Sequence, residues 1–276
     1  MLTGQLFEQW NIDDTLVVDS VQSALGPCDI FLGGSLADDL GNLSSDLDLY
    51  CFLPPGSSSK IRSTAVSCGD TTLDLTAVPT DQDPGRESLL TLLLGPADAS
   101  EGELPLLSNQ RFHQLHALYR DRHLASSGHG EAFRRTFAAD LLHIYMAVRS
   151  ILACAALAED LISLRNANDH ETALHSARIA AEYAVDAALA VEGAIVVNPK
   201  WRSQLLARTR LKTALPPEAA TSAGLYPRPE RPDAIAACLQ TADAHLRHAV
   251  ADGLVGRFDL VQDAIRLLRK SHDLWR

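Results

Sequence analysis

The sequence has few cysteines, few basic residues and no long uncharged hydrophobic run, and each shortage excludes a class of protein. Its five cysteines are scattered and odd in number, without a Cys-x-x-Cys pair, which argues against a disulfide framework or a zinc site. Lysine and arginine total 24 against 35 acidic residues, so the net charge of −11 opposes binding to nucleic acid or to an anionic membrane. Arg149 interrupts the longest apolar stretch, Ile144 to Ala158, and the sequence predicts no membrane span.

The length and overall composition are those of a folded protein. The chain has 276 residues, of which 46% are hydrophobic and 21% charged, enough for one large domain or two small ones. The first ten residues lack the basic and apolar regions of a secretory signal, so we expect a cytoplasmic protein.

The apolar pattern changes along the chain and predicts an α+β fold in two domains. Up to about residue 80 it predicts a helix at Asp14 to Leu25 and then short strands punctuated by glycine and proline. These strands are expected at Cys28 to Leu32, Leu47 to Leu53 and Thr71 to Val78. The sequence thus predicts a first domain, residues 1–104, with a mixed sheet and flanking helices.

From Arg111 onward, apolar residues recur at spacings of three and four, which predicts helices. The second domain, residues 105–276, is therefore expected to be an all-α helical bundle. A proline-rich loop, Leu215 to Pro232, separates the middle helices from a last pair, expected near residues 233–252 and 257–274.

The first chemical signal is the turn Gly33-Gly34-Ser35, which follows the first strand. Glycines lack a Cβ, so a phosphate can approach the backbone amides, and the serine hydroxyl adds a further donor. The turn is therefore a candidate phosphate-binding loop.

The second signal is a set of three aspartates on two strands. Asp46 and Asp48 alternate with buried leucines, so both face the same side of one strand. Asp74 alternates with Leu73 and Leu75 in the segment Thr72 to Ala77, so it is also expected on the polar face of its strand. Neighbouring carboxylates repel one another unless a divalent cation neutralises them, which points to one or two Mg²⁺ ions and to phosphoryl displacement.

Gly34-Ser35 followed by Asp46-Leu-Asp48 and a third acidic strand residue resembles the signature of the DNA polymerase β-like nucleotidyltransferase superfamily, in its minimal or antibiotic adenylyltransferase form. The resemblance covers the first domain only. It implies that Asp46, Asp48 and Asp74 hold the metal, that Asp74 completes the site or accepts a proton, and that the glycine-serine turn binds the triphosphate. Relatives of this type often pair two subunits, so a homodimer is also implied.

The expected function is Mg²⁺-dependent transfer of a nucleoside monophosphate to a hydroxyl of a small molecule such as an antibiotic. The donor would be ATP, which supplies AMP, or another NTP. The helical domain would form the acceptor wall. Two alternatives stay open. One is a toxin–antitoxin type of enzyme that modifies tRNA or protein, and the other is a catalytically degenerate nucleotide-binding or scaffolding homologue.

Several further residues bear on this prediction. Asp38 and Asp39 follow the turn and place negative charge near the expected triphosphate, which is the one hint of a degenerate site. In the helical half, Lys200 stands beside Trp201 in a turn where a triphosphate could dock. Glu182 and Asp186 lie four residues apart on one helix face, as a solvated pair or as a general base.

Overall fold

The computed structural model divides the chain into two compact units, Met1–Leu142 and His143–Arg276. It describes residues 7–8, 12–41, 45–57, 63–69, 71–81, 88–94, 104, 106–209, 211 and 233–275.

A five-stranded mixed sheet forms the centre of the first unit. Its strands are β1 (Asp29–Leu32), β2 (Leu47–Leu53), β3 (Ser63–Cys68), β4 (Thr71–Pro79) and β5 (His123–Ala125). They lie in the order β3-β4-β2-β1-β5. β2 and β4 are parallel, and the other neighbours are antiparallel. The predicted mixed sheet is thus confirmed, while β3 and β5 were not anticipated.

Helices of the first unit pack around this sheet. They are α1 (Asp14–Leu25), α2 (Gly34–Ala37), α3 (Leu89–Leu94), α4 (Asn109–Arg120) and α5 (His129–Phe137). The first helix has the predicted bounds because Asp13 caps it, its carboxylate accepting a 2.6 Å hydrogen bond from the amide of Leu16. Val17 and Val21 of α1 are fully buried in one core with the leucines of β2 and β4.

The opposite face of the sheet changes from polar to buried along β2. Asp46 is exposed, Asp48 and Tyr50 are partly buried, and Phe52 is fully buried. The ring of Phe52 contacts that of Phe133 from α5, with 5.2 Å between the centroids. The end of the face that carries the carboxylates therefore remains accessible, whereas its other end is part of the core.

The first unit extends further along the chain than the boundary expected at residue 104. β5 pairs with β1, and the buried carboxylate of Asp29 accepts a 2.6 Å hydrogen bond from the amide of Gly130. A side chain at Gly130 would collide with the ring of Phe31, because its Cβ would lie 2.6 Å from Cε2. Strand pairing and close packing thus tie residues up to α5 to the sheet.

The second unit is helical, as predicted. Its helices are α6 (Leu142–Ala167), α7 (His170–Val191), α8 (Arg202–Arg208), α9 (Ala234–Ala251) and α10 (Asp259–Trp275). α7 packs against α9, and α9 against α10. The buried side of α7 is rich in alanine, which allows a close approach of the two helix backbones. The predicted loop Leu215 to Pro232 lies outside the described residues.

Within the described residues, one helical stretch, Ala139–Ala167, has the length and composition of a membrane span. Arg149 interrupts the apolar run of this helix, which is why no span was expected, but one arginine does not exclude a span by composition. Of the most apolar window, with a mean hydropathy of 1.8, 56% is buried inside the protein. Such burial is typical of the core helix of a soluble protein.

Candidate active site

The Gly33-Gly34-Ser35 turn continues directly from β1 and is tied to β2. The amide of Gly33 donates a 2.8 Å hydrogen bond to the carbonyl of Asp48. The carbonyl of Ser35 accepts a 2.8 Å bond from the amide of Leu40, which closes the turn behind α2. The Ser35 hydroxyl lies 3.4 Å from that of Ser45, just before β2. The turn and the start of β2 therefore form one hydrogen-bonded unit.

Both glycines are required by contacts within the protein itself. Gly34 has a φ of +55°, and a Cβ there would lie 2.3 Å from Oδ2 of Asp48. A Cβ on Gly33 would lie 2.4 Å from Cε2 of the Tyr50 ring. Since real Cβ atoms do not approach other atoms this closely, only glycine lets the turn lie against Asp48 and Tyr50 while their side chains keep their present positions. The carboxylate of Asp48 is thus placed directly at the turn.

Two of the three predicted carboxylates stand side by side on parallel strands. Asp48 of β2 is in register with Asp74 of β4, and neighbouring strands lie about 4.8 Å apart. Asp46 precedes Asp48 by two residues on the same polar face. The intervening Leu47 and the flanking Leu73 and Leu75 are buried on the opposite face, which fixes the register.

The electrostatics of Asp48 reflect this crowding of like charges. Its pKa is raised above the usual value, first by burial and then by the negative charges of Asp46 and Asp74. The pKa of Tyr50 is raised to about 12 by burial and by Asp48, so its hydroxyl remains protonated at neutral pH. Negative charge is therefore crowded around Asp48.

The chemistry of this donor set fits a hard divalent cation. Among the described residues, no cationic side chain forms an ion pair with Asp46, Asp48 or Asp74. Aspartate oxygens are the ligands that Mg²⁺ prefers, and a bound cation would relieve the repulsion that raises the pKa of Asp48. The described part of the chain nevertheless contains no group of three side chains already arranged as metal ligands.

The acidic residues after the turn are matched by arginines. Asp38 is buried and lies 2.9 Å from Nε of Arg120. Asp39 adopts a φ of +56° and lies 2.6 Å from the guanidinium of Arg122. His116, also buried, approaches Asp38 at 3.4 Å. The negative charge that hinted at a degenerate site is thus compensated by neighbouring arginines.

The remaining candidate residues belong to the second unit. Lys200 is exposed, with its Nζ 4.9 Å from the centroid of the Trp201 ring. Arg202 contacts Glu182 at 3.0 Å and Asp186 at 2.6 Å. Burial raises the pKa of Asp186 despite the opposing effect of Arg202. The two carboxylates are therefore a partly buried ion-paired cluster and not a solvated pair.

Three residues of the site region were not singled out from the sequence. Tyr50 continues the alternation of Asp46 and Asp48, so its position on the polar face could have been predicted. The positions of Arg120 and Arg122 could not have been predicted, because these residues are more than 80 positions away from their partners Ala37 and Asp39 in the sequence.

Comparisons with protein-family models, with curated proteins and with solved structures gave no match for this chain.

Proposed function

We propose that this protein is a Mg²⁺-dependent nucleotidyltransferase of the DNA polymerase β-like type, located in the cytoplasm. It would transfer a nucleoside monophosphate, AMP from ATP in the simplest case, to a hydroxyl of a small molecule. The observation that carries the proposal is the juxtaposition of Asp48, Asp74 and Gly34. Two carboxylates in register on parallel strands meet a turn whose backbone has no room for a side chain.

In this proposal, Asp46 and Asp48 hold the metal, and Asp74 is either a third ligand or the base. Bound Mg²⁺ would supply positive charge to the phosphate oxygens and lower the pKa of the attacking hydroxyl. The Gly33-Gly34-Ser35 turn would receive the triphosphate through its amides and the Ser35 hydroxyl.

Asp74 is the more exposed member of the aligned pair, which favours it as the group that meets the acceptor. It would accept the proton of the acceptor hydroxyl, and that oxygen would form a bond to the α-phosphorus. The bond between the α-phosphorus and the bridging oxygen would break, and pyrophosphate would leave with that oxygen.

The charge of the molecule favours a small cationic acceptor over a nucleic acid. The net charge is −11, and three carboxylates lie at the accessible end of the sheet face. A polycationic natural product bearing hydroxyls would be attracted by this field, whereas the phosphates of tRNA would be repelled. The arginines beside Asp38 and Asp39 weaken the specific hint of a degenerate site.

The test compares wild type with Asp46→Asn and Asp48→Asn, and uses Asp19→Asn on the exposed side of α1 as a matched control. Thermal unfolding is measured with and without Mg²⁺, ATP binding by calorimetry, and pyrophosphate release with hydroxyl-bearing cationic antibiotics and then with tRNA. We expect Asp48→Asn to raise the stability of the metal-free protein, because it removes repulsion, and to abolish stabilisation by Mg²⁺ with ATP.

Equal responses of wild type and Asp48→Asn to Mg²⁺ and ATP would refute the metal site. Mg²⁺-dependent ATP binding without turnover on any acceptor would favour a nucleotide-binding homologue. Pyrophosphate release that required tRNA would establish the macromolecule-modifying alternative.

A further inference from the structure

The two arginines beside the turn occupy different environments. The side chain of Asp38 is 3% exposed and its partner Arg120 is 26% exposed, and Arg120 also donates a hydrogen bond to the carbonyl of Ala37. Arg122, in contrast, is 46% exposed, and its partner Asp39 is 18% exposed. The first pair is part of the packed structure, whereas the second lies at the surface and can exchange partners.

The backbone places Arg122 close to the turn. Its carbonyl accepts a 2.8 Å hydrogen bond from the amide of Leu32, the last residue before Gly33. Because β1 lies between β2 and β5, Arg122 and Asp48 stand on opposite sides of β1, two strand spacings or about 10 Å apart in backbone position. Arg122 is thus one strand spacing, about 5 Å in backbone position, from the residue that precedes the turn, which is within the length of an arginine side chain.

The chemistry of the Arg122 pair suits such an exchange. An exposed arginine–carboxylate pair contributes little stability, because water screens both charges. A guanidinium also binds phosphate oxygens through two parallel hydrogen bonds, and a triphosphate carries more negative charge than one carboxylate. Arg122, the exposed member of the pair, would therefore exchange a single carboxylate for a partner of higher negative charge.

We infer that Arg122 binds the triphosphate of the nucleotide and that Asp39 competes for it when the site is empty. This inference rests on the proposed function and adds a specific phosphate ligand from the first unit. It also gives Asp39 a role, as the carboxylate that weakens nucleotide binding and sets its affinity.

The experiment measures calorimetric binding of ATP with Mg²⁺, and of inorganic tripolyphosphate with Mg²⁺, to the full chain. Arg122→Gln is compared with Arg135→Gln, an arginine of α5 that is 75% exposed and pairs with Glu131. We expect Arg122→Gln to weaken both ligands by about tenfold or more, as the loss of a charge-assisted hydrogen bond predicts. Arg135→Gln should leave both affinities unchanged.

A second variant tests the competition. Asp39→Asn should tighten binding by about threefold or more in the wild-type background, and by clearly less when Arg122 is already replaced by Gln. A merely structural role of the pair would instead make both single variants weaken binding and lower thermal stability together.

The outcomes separate the two proposals. Mg²⁺-dependent ATP binding that Asp48→Asn abolishes but Arg122→Gln leaves intact would overturn the inference and keep the proposed function. Absence of ATP binding in the wild type would overturn both.

Discussion

Replacing Gly34 by alanine tests the close contact between the turn and β2. The new Cβ would lie 2.3 Å from Oδ2 of Asp48, so the carboxylate must rotate away from its place. The left-handed φ of +55° adds a backbone cost of about 1–2 kcal/mol for any residue other than glycine. We expect Gly34→Ala to lower the free energy of unfolding and to weaken stabilisation by Mg²⁺ with ATP.

Gly69, in the turn between β3 and β4, provides a matched control. Its φ is +57°, but nothing lies within 4 Å of the position that a Cβ would take there. Gly69→Ala therefore has the same backbone cost in the folded state and the same loss of conformational entropy in the unfolded chain as Gly34→Ala. It lacks only the collision between the new Cβ and Asp48. Moving Asp48 to an unfavourable rotamer costs about 0.5–1.5 kcal/mol, so Gly34→Ala should be less stable than Gly69→Ala by about 1 kcal/mol.

The assay is urea unfolding followed by circular dichroism, with Asp48→Ala as a second background. Removal of the carboxylate should erase the difference between the two glycine variants, because Asp48 is the group that the Cβ meets. Equal destabilisation in the wild-type background, or a difference that survives Asp48→Ala, would show that the turn does not lie against Asp48.

Three further predictions concern other parts of the fold. Burial lowers the pKa of His245 to about 4, whereas the pKa in the unfolded chain is about 6.5. The unfolded chain therefore binds a proton first, and the free energy of unfolding should fall by about 3 kcal/mol as the pH drops from 6.5 to about 4. His245→Gln should flatten this dependence in urea titrations at several pH values. Arg202→Met should destabilise the second unit by about 2–3 kcal/mol, because it leaves the largely buried Asp186 carboxylate without its cation. Arg202→Lys should recover part of this loss in thermal melts. A fragment ending at Leu142 should melt cooperatively, whereas one ending at residue 104 lacks β5 and α5 and should not.

The strands that form the candidate site could be predicted because they alternate cleanly. In β2 and β4, leucines at every second position are buried in one core, and the aspartates between them face the other side. Period-two alternation was enough to place Asp46, Asp48 and Asp74 on polar faces. The parallel pairing that aligns Asp48 with Asp74 needed the structure, since alternation does not specify which strands are neighbours.

The two missed strands lack this signal for physical reasons. β3 is an edge strand of small and polar residues, with only Cys68 buried, so no apolar run marks it. β5 has three residues, His123–Ala125, and lies between two helices in a region of helical periodicity. It forms because β1 offers an unpaired edge, a tertiary effect that local sequence does not encode. The pairing of β5 with β1 also joins residues beyond 104 to the first compact unit.

The acidic pair after the turn shows why charge read along the chain differs from charge in the folded protein. Asp38 and Asp39 are adjacent in sequence, yet one is packed against Arg120 and the other faces the surface with Arg122. Compensation lowers the repulsion that a triphosphate would meet, but it also occupies Arg122, the arginine that we propose as its ligand. Salt weakens the exposed pair and would also weaken the proposed binding of phosphate to Arg122, so the two effects of ionic strength would oppose each other. Nucleotide affinity in Asp39→Asn should then fall more steeply with salt than in the wild type, because only the attractive contact is left to screen.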